Sequence, residues 1–301
     1  MSGVASEVLA AHRARFAELD PRLAKPKPLP DLIDGDVPLA CPGGLALVRT
    51  TNADPASFAA CFTAARESRL VAKVDGPKAM AALLDQWEGL DGVRPGPDST
   101  AIVTWPSRDT AMTRTLLEHG FVPQSVLAVR RGSFPVPGGS SGVAVRRLEA
   151  TDVEAAVALW MQVMRWDAQF GGMAVRASTE GHVRGELESA LGPDGVWVWV
   201  AERDGVTVGL VVVQPPERAA WAVSPSAFSP GVYVSCGVVA EGSRSGGIGS
   251  ALMREVHAFV DAAGIPVSLL HYAALNPLSG PFWSRCGYSP LTTVWARGTV
   301  G

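Results

Sequence analysis

The sequence predicts a mixed α/β protein built from two domains, and three observations support this prediction. The chain has 301 residues, which exceeds the length of most single domains. It is 47% hydrophobic and 18% charged, which supplies enough apolar residues for packed cores. Short apolar runs of β type alternate with helical patterns, and the two halves of the chain resemble each other.

The likeness between the halves is clearest near their ends. The segments TAIVTWPSRDTAMTRTLLEHGFVPQSVLAVRRG and VSLLHYAALNPLSGPFWSRCGYSPLTTVWARG each predict a strand, a short helix ending at a glycine, and another strand. Aligning Gly120 with Gly287 also pairs Trp105 with Tyr272 and Asp109 with Asn276. The starts LALVRTTNADPASFAACFTAA and VAVRRLEATDVEAAVALWMQV match as strand, cap and apolar helix. Chance similarity between short elements is the alternative interpretation.

The first repeat is shorter than the second. Between matching positions, Arg49 to Gly120 spans about half the length of Arg146 to Gly287. The first interval also contains no Gly-rich loop. We therefore expect the first domain to be a reduced, degenerate copy of the second, each with a twisted mixed sheet flanked by helices.

The domain boundary is predicted in the segment Gly132 to Gly142, which is rich in proline, glycine and serine as linkers are. The first domain would then comprise residues 1–137 and the second residues 138–301. Within the second domain, antiparallel strands are expected first and a β-α-β unit after them. The predicted strands are Val196 to Glu202, Thr207 to Gln214, Gly231 to Val239 and Val267 to Tyr272, with a helix from Gly247 to Ala263 before the last strand.

Charge and cysteine content exclude several classes of partner. The net charge is −3 and no Lys/Arg run occurs, so we expect neither nucleic acid nor an anionic membrane as a partner. The cysteines Cys41, Cys61, Cys236 and Cys286 have no metal-type spacing, which favours reduced intracellular thiols and no bound metal. The first residues predict an amphipathic helix, and no apolar run reaches the length of a membrane span. A soluble cytoplasmic protein is therefore expected, and a homodimer is left open.

A glycine-rich loop between a strand and a helix is the strongest functional signal. The loop contains Arg244, Ser245, Gly246, Gly247, Ile248, Gly249 and Ser250. A helix N-terminus has free N–H groups and a partial positive charge, so it stabilises an anion. Glycines let the anion approach the backbone, and an arginine adds a charge that pairs with phosphate. The loop therefore predicts a phosphate site, with a simple tight turn as the alternative.

Two common nucleotide motifs do not fit this loop. A Walker A loop needs GxxxxGK[ST], and no lysine follows these glycines. A dinucleotide fingerprint needs GxGxxG, but Leu252 stands where its third glycine would be. A different phosphate-bearing ligand is therefore expected.

Two motifs resemble those of the GNAT superfamily of acyl-CoA N-acyltransferases. RSGGIG, from Arg244 to Gly249, matches [QR]-x-x-G-x-[GA], and NPLSGPFWSRCGY, from Asn276 to Tyr288, is similar to the second family motif. The resemblance covers about Val143 to Gly298, whereas the first half resembles only the start and end of the fold. The chain therefore looks like a tandem GNAT protein with a degenerate N-terminal repeat.

The resemblance implies where coenzyme A would bind. The backbone of Val238 and Val239 would pair with the pantetheine arm as an added strand, and the strands around Val238 and Leu270 would splay. Amides of the loop would bind the pyrophosphate. The implied cofactor-binding residues are Val238, Val239, Arg244, Ser245, Gly246, Gly247, Ile248, Gly249, Ser250, Asn276, Phe282 and Trp283.

The family resemblance implies direct acyl transfer from acyl-CoA, with acetyl-CoA favoured, to a small amine in a ternary complex. Trp283 stands where many relatives have a tyrosine that protonates the leaving thiolate, and indole is too weak an acid for that role. Candidate replacements are Tyr272, Ser279 and Ser235. Cys236 has no histidine beside it, so a covalent intermediate is disfavoured.

No general base is assigned from the sequence. Strict alternation along GVYVSCGVV predicts Tyr233, Ser235 and Gly237 on one face of the strand, with the intervening residues on the other. No carboxylate lies on this strand, and Glu202 and Glu217 are weak substitutes. A water relay is the alternative.

The acceptor site is predicted in WMQVMRWDAQFGGM. Its candidate residues are Trp160, Met164, Trp166, Asp167 and Phe170, with Asp167 available to attract an ammonium group. Core packing of the aromatic residues is the alternative. The opposing prediction for the whole protein is a non-catalytic acyl-CoA-binding sensor or scaffold. Mycothiol-synthase-like chemistry is a third reading, which the shortened first half disfavours.

Overall fold

A single mixed sheet of 11 strands forms the centre of the computed structural model. The structure describes residues 2–90, 98–137 and 142–299. Eight α-helices in these residues flank the sheet, so the predicted mixed α/β class is confirmed. The strand order is β1-β2-β3-β4-β11-β5-β10-β9-β8-β7-β6 once the strands are numbered along the chain.

The helices and strands have the following bounds. The helices are α1 Ser2–Leu19, α2 Pro77–Glu88, α3 Thr110–Glu118, α4 Val153–Ala168, α5 Thr179–Ser189, α6 Pro216–Val223, α7 Ile248–Ala262 and α8 Ser279–Arg285. The strands are β1 Val37–Cys41, β2 Gly44–Asn52, β3 Arg66–Val74, β4 Ser99–Pro106, β5 Val122–Arg131, β6 Ala144–Arg147, β7 Trp197–Arg203, β8 Val206–Gln214, β9 Gly231–Val239, β10 Val267–Ala273 and β11 Ser289–Thr299.

The last strand of each half lies in the sheet region of the other half. β5, from the first half, pairs with β10 on one side and with β11 on the other. β11, from the second half, pairs with β4 as well as with β5. Sheet pairing therefore joins the halves. β5 of the first half lies between two strands of the second, and β11 of the second half lies between two strands of the first.

Only two neighbouring strand pairs are parallel among the strands of the described residues, and each belongs to one half. They are β3 with β4 and β9 with β10, whereas the other neighbours run antiparallel. A helix connects each parallel pair, as a crossover requires: α2 in the first half and α7 in the second. The two crossovers occupy corresponding places in the two halves.

The predicted elements of the second half agree with the structure within two residues at each end. The hairpin of β7 and β8 turns at Asp204 and Gly205, both at positive φ. α7 begins directly after Gly247 and ends before Gly264. Part of the linker predicted at Gly132 to Gly142, residues 138–141, lies outside the described residues.

The predicted apolar helix after the first strand of the first half is wrong. After β2 the chain forms only one 3-10 turn, Phe58–Cys61, capped by Ser57. The Cys61 side chain is fully buried and its Sγ lies 3.1 Å from the Thr179 hydroxyl on α5. Because this segment packs against the second half, it does not form a helix that covers its own sheet.

The two predicted strand starts also do not correspond in the sheet. In the sheet, β2 lies next to β3 of the parallel pair β3–β4, and β8 lies next to β9 of the parallel pair β9–β10. β6, which the repeat aligned with β2, lies at the outer edge of the sheet. The sequence similarity between the starts of the two halves is therefore limited to short segments. The similarity between their ends corresponds to strands at equivalent positions in the sheet.

The helix lengths bear on membrane association. None of the helices in the described parts of the chain combines the length and the apolar character needed to cross a bilayer.

Candidate functional site

An opening between β9 and β10 is the centre of the candidate site. These parallel strands pair from Gly231 with Val267 to Val234 with Leu270, and no further. Beyond that point β9 continues to pair only with β8, and β10 continues with β5. The inner edge of β9 after Val234 is thus exposed toward the opening, where an extended ligand could pair with its backbone.

A bulge at Ser235 changes the face of the sheet toward which the last side chains of β9 point. Val212 of β8 pairs with Cys236, and the next residue, Val213, pairs with Val234, which leaves Ser235 unpaired. Such an extra residue reverses the facing of all later side chains. The predicted strict alternation is therefore wrong.

The core contacts show the consequence of the bulge. Val232 and Val234 pack on the side of α7, whereas Cys236 and Val238 pack on the side of α4. Gly237 then faces α8, and the Cη2 atom of Trp283 lies 2.9 Å from the place where a Cβ on residue 237 would stand. A side chain larger than glycine would displace this indole.

The glycine loop ends in the N-terminus of α7. Gly247 is the N-cap residue at φ 77°, a left-handed conformation that favours glycine. The hydrogen bond from Ala251 N to Gly247 O is the first of the helix, so the N–H groups before Ala251 have no acceptor within the helix. These donors and the helix dipole favour an anion at this end.

The loop, the strand edge and α8 enclose a cleft of about 390 Å³. Six residues of the loop line it: Arg244, Ser245, Gly247, Ile248, Gly249 and Ser250. The other predicted cofactor-binding residues that line it are Val238, Val239, Asn276, Phe282 and Trp283. Gly246 lies in the same loop outside the lining. The cleft thus brings together both sequence motifs, which lie far apart in the chain.

Two side chains shape the mouth of the cleft. The Arg244 guanidinium lies 5.6 Å from the Trp166 ring centroid, and its Nε donates to Val239 O at 3.4 Å. The Phe282 ring lies 3.1 Å from the place where a Cβ on residue 249 would stand. Arg244 therefore places a positive charge beside the cleft, and Gly249 lets Phe282 approach the start of α7.

The three proton-donor candidates have different surroundings. Ser279 lines the cleft at the start of α8. Tyr272 is half-buried on β10 outside the lining, and burial raises the pKa of its hydroxyl. Ser235 donates to Val212 O at 3.3 Å across the bulge. Of the three, only Ser279 is in the wall of the cleft.

Cys236 has the wrong environment for a nucleophile. Its side chain is buried on the side of α4, and burial followed by the charge of Asp167 raises the pKa of its thiol well above the usual value. The reactive form of cysteine is the thiolate, which these two effects disfavour.

The acceptor candidates divide between the core and the cleft. Trp160 and Met164 are 2% and 1% exposed and pack in the core beneath α4, as the alternative of core packing predicts. Trp166 lines the cleft, and Phe170 packs edge-to-face against it at 6.1 Å between centroids. Asp167 accepts a hydrogen bond of 2.8 Å from the Asn276 amide.

The weak base candidates lie elsewhere. Glu202 accepts hydrogen bonds from Arg146 at the outer edge of the sheet, and Glu217 is exposed at the start of α6. Neither lines the cleft. Asp167 is therefore the carboxylate that the structure brings nearest to the predicted motif residue Asn276.

The first half contacts the loop that follows α4, which the sequence did not reveal. The Gln124 side chain on β5 donates to Gly171 O at 2.9 Å, in the loop that follows α4. Farther along this loop, Arg176 pairs with Asp98 of the first half at 2.9 Å. No local pattern encodes these long-range contacts, since they depend on the exchange of β5 and β11.

The corresponding opening in the first half is filled by the chain itself. β3 and β4 pair only as far as Leu70 and Val103. Beyond that point His12 of α1 is hydrogen-bonded to the backbone of Val74, with its Nδ1 3.1 Å from Val74 O. Helix α1 therefore occupies the place that remains open in the second half.

Further α1 contacts reach the end of β4. Phe16 packs edge-to-face on Trp105 at 5.5 Å, and Arg15 forms an ion pair with Asp109. Asp109 also accepts a hydrogen bond from the Trp105 indole at 2.9 Å. Trp105 and Asp109 are the positions that the repeat aligns with Tyr272 and Asn276, so α1 covers the first half's counterparts of site residues.

Comparison of the sequence with protein families gives one match. The model of the acetyltransferase (GNAT) family matches residues 160–288. These residues are thus similar to a GNAT acetyltransferase domain. The matched region contains every lining residue of the cleft, from Val163 to Arg285, and none of the first half. No curated protein sequence matches the chain significantly.

Solved structures that resemble the chain include GNAT proteins at low sequence identity. A GCN5-related N-acetyltransferase from Kribbella flavida is 17% identical, with 99% of this chain and 96% of that chain covered at a TM-score of 0.46. One from Sphaerobacter thermophilus is 14% identical over 85% and 76%, at 0.49. A tandem GNAT protein from the clavulanic acid biosynthesis pathway is 14% identical over 98% and 95%, at 0.45. All three TM-scores are below 0.5.

Proposed function

We propose that the second half of the chain is a GNAT domain and an acyl-CoA-dependent N-acyltransferase, which uses acetyl-CoA and transfers its acetyl group directly to a small amine. The observation that carries the proposal is the meeting of an anion-binding helix N-terminus and an open strand edge in one cleft. A ligand that combines a pyrophosphate with a peptide-like arm would use both features. The helix N-terminus would bind the pyrophosphate, and the strand edge would pair with the arm. Pantetheine pyrophosphate, as in coenzyme A, has this combination.

The residues of the chain would act on acyl-CoA as follows. The N–H groups from Gly247 to Ser250 and the Arg244 guanidinium would hold the pyrophosphate. The backbone of Val238 and Val239 would pair with the pantetheine arm, and a strand amide there would polarise the thioester carbonyl. Of the three proton-donor candidates, Ser279 is the one in the cleft lining, and it would hydrogen-bond the leaving sulfur.

The non-catalytic alternative, an acyl-CoA sensor or scaffold, is favoured by one observation. Trp283 packs in the wall of the cleft against Gly237, where its indole N–H cannot replace the acidic hydroxyl of a tyrosine. Turnover of acetyl-CoA in the presence of an amine separates the two functions. The proposed domain boundary at residues 137 and 138 is common to both.

Binding of acetyl-CoA tests the proposal through Ser250. Ser250→Glu places a carboxylate in the first turn of α7, where it repels a pyrophosphate, while the helix dipole tolerates it. We expect calorimetry to show micromolar binding to the wild type and at least about 100-fold weaker binding to Ser250→Glu.

Ser250→Gln is the matched control, because it adds the same bulk without charge. Its affinity should stay within about threefold of the wild type. Absence of acetyl-CoA binding to the folded wild type would contradict the proposed function. Equal losses in the two variants would show that bulk, and not charge, is responsible, which contradicts the expected repulsion between the introduced carboxylate and a pyrophosphate.

A further inference from the structure

We propose that Asp167 binds the ammonium group of the acceptor and accepts its proton, so that the acceptor is a primary amine that arrives as a cation. The inference rests on the proposed function, since it assigns the amine side of the same cleft. Within the described residues, Asp167 differs from the other sheltered aspartates, each of which pairs with an arginine.

The position of Asp167 beside the cleft is fixed by Asn276. Asn276 is 6% exposed and lines the cleft. Its Oδ1 accepts a hydrogen bond of 3.0 Å from Leu278 N, so its Nδ2 is the group that faces Asp167 Oδ1 at 2.8 Å. Asp167 follows Trp166, another lining residue, in the last turn of α4. Asp167 is half-buried and is not itself a lining residue, so its carboxylate lies directly behind the lining, one hydrogen bond from Asn276.

Asp167 lacks the cation that other sheltered aspartates have. Each of those aspartates holds an arginine in an ion pair: Asp20 with Arg22, Asp36 with Arg49, Asp98 with Arg176, Asp109 with Arg15, Asp152 with Arg146 and Asp261 with Arg130. No ion pair to Asp167 occurs within residues 2–90, 98–137 and 142–299. A sheltered carboxylate without a counter-charge is costly, and a cationic ligand would remove that cost.

The electrostatic surroundings agree with this assignment. Burial raises the pKa of Asp167, and the hydrogen bond from Asn276 lowers it in part. On the facing strand the charge of Asp167 contributes to the raised pKa of the Cys236 thiol. Arg244 extends from the glycine loop over the neighbouring Trp166, while Arg165 on α4 is exposed. The carboxylate therefore acts on the segment of β9 that follows the bulge.

The position of Cys236 on β9 shows where the Asp167 carboxylate lies relative to the expected position of the thioester. It lies two residues after Val234, the last residue of β9 that pairs with β10. Val238, whose amide would polarise the thioester, faces the same side as Cys236. The amine and the acyl group would therefore meet at the opening, the amine from the side of α4 and the acyl group along β9.

The class of acceptor follows from the wall around the carboxylate. Val163 and Trp166 on α4 line the cleft, and Phe170 packs against Trp166. An apolar or aromatic body would contact these side chains, while the ammonium group reaches Asp167. The structure points to a primary alkylamine or arylalkylamine.

The proton and bond changes balance in the transfer. The ammonium gives one proton to the Asp167 carboxylate, and the neutral nitrogen forms a bond to the acyl carbon of acetyl-CoA. The C–S bond then breaks, its electron pair leaves on sulfur, and the second proton lost by nitrogen neutralises the thiolate. The products are the acetamide and coenzyme A, and Asp167 returns its proton to solvent.

Asp167→Asn tests the proposal, because the amide keeps an acceptor for Asn276 but carries no charge. Asp204→Asn is the matched control: it makes the same chemical change in an exposed turn at φ 52°, which asparagine tolerates. Calorimetry measures the CoA affinity of each protein first. The CoA-saturated proteins are then titrated with hexylamine, 2-phenylethylamine and other primary amines, each beside the alcohol of the same shape.

We expect at least one amine to bind the wild type and Asp204→Asn, and to bind Asp167→Asn about 10- to 100-fold more weakly. The alcohols should not distinguish the three proteins. With acetyl-CoA, kcat/KM for that amine should fall below the pKa of Asp167 in the wild type, and this acid limb should be absent in Asp167→Asn.

Two results would overturn the proposal. The first is an amine that binds Asp167→Asn as tightly as the wild type, and the second is a CoA-saturated wild type that binds none of the amines. If CoA itself fails to bind, the proposed function fails and this inference falls with it, so the two failures are distinguishable.

Discussion

Neither half of the chain is expected to fold when it is produced alone. Residues 138–301 would lack β5, which separates β10 from β11, and residues 1–137 would lack β11, which separates β4 from β5. Each half would expose long unpaired strand edges and lose the apolar contacts that they carry. We expect no cooperative thermal transition by near-UV circular dichroism for either half, and recovery of one transition when both are refolded together.

A chain cut between the halves provides the matched control. A protease site inserted at the proposed boundary lets the folded protein be cleaved without loss of any strand. Because the halves remain joined by sheet pairing, the cut protein should keep its secondary structure and elute as one species. A cooperative transition of residues 138–301 alone would contradict the interlocked arrangement.

The protein should lose stability steeply as the pH falls from about 6.5 to about 4. Burial is the largest cause that lowers the pKa of three histidines from 6.5, to about 4 for His12, about 3 for His257 and about 4 for His271. In this pH range the unfolded chain binds protons that the folded chain does not. Stability is therefore complete above pH 6.5 and declines as the pH falls toward the folded pKa values.

The expected size of the effect is large. Each histidine contributes a slope of about 1.4 kcal/mol per pH unit, or about 4 kcal/mol per unit for the three together. A typical domain has about 5–15 kcal/mol of stability in total, so unfolding is expected before pH about 4. Asp167 has the opposite effect. Because burial raises the pKa of its carboxyl, the folded chain binds this proton at a higher pH than the unfolded chain does, which stabilises the folded state as the pH falls.

Urea unfolding at several pH values measures this slope. His257→Gln keeps a polar atom near the Nε2 position, which is 3.3 Å from the Tyr288 hydroxyl, and should remove about one proton from the slope. A free energy of unfolding that stays constant from pH 6.5 to 4.5 would contradict the prediction.

The sequence predicted those parts of the site that depend on local pattern. The loop from Arg244 to Ser250 lies between an apolar strand and an amphipathic helix, and the conformation of each follows from its own residues. Gly247 as the helix cap is a further local signal, because the left-handed conformation favours glycine. Asn276 was identified by the resemblance of its segment to the second family motif, and its side chain lines the same cleft.

The features that were missed depend on distant parts of the chain. The exchange of β5 and β11 requires knowledge of which strands pair, and periodicity gives only the direction a side chain faces. The bulge at Ser235 broke the assumed alternation, since an extra residue leaves no mark in an apolar run. The segment Phe58–Cys61 has a helical composition, but its packing against α5 determined its conformation.

Helix α1 competes with any ligand for the opening between β3 and β4 in the first half. Tethered to the sheet by residues 20–36, α1 has an effective concentration at that opening on the order of millimolar or more. A free ligand at micromolar concentration would need to bind roughly a thousandfold more tightly than α1 to displace it. Of the two strand openings in the described residues, only that of the second half is accessible, so the proposed binding of coenzyme A should have a stoichiometry of one per chain despite the repeat.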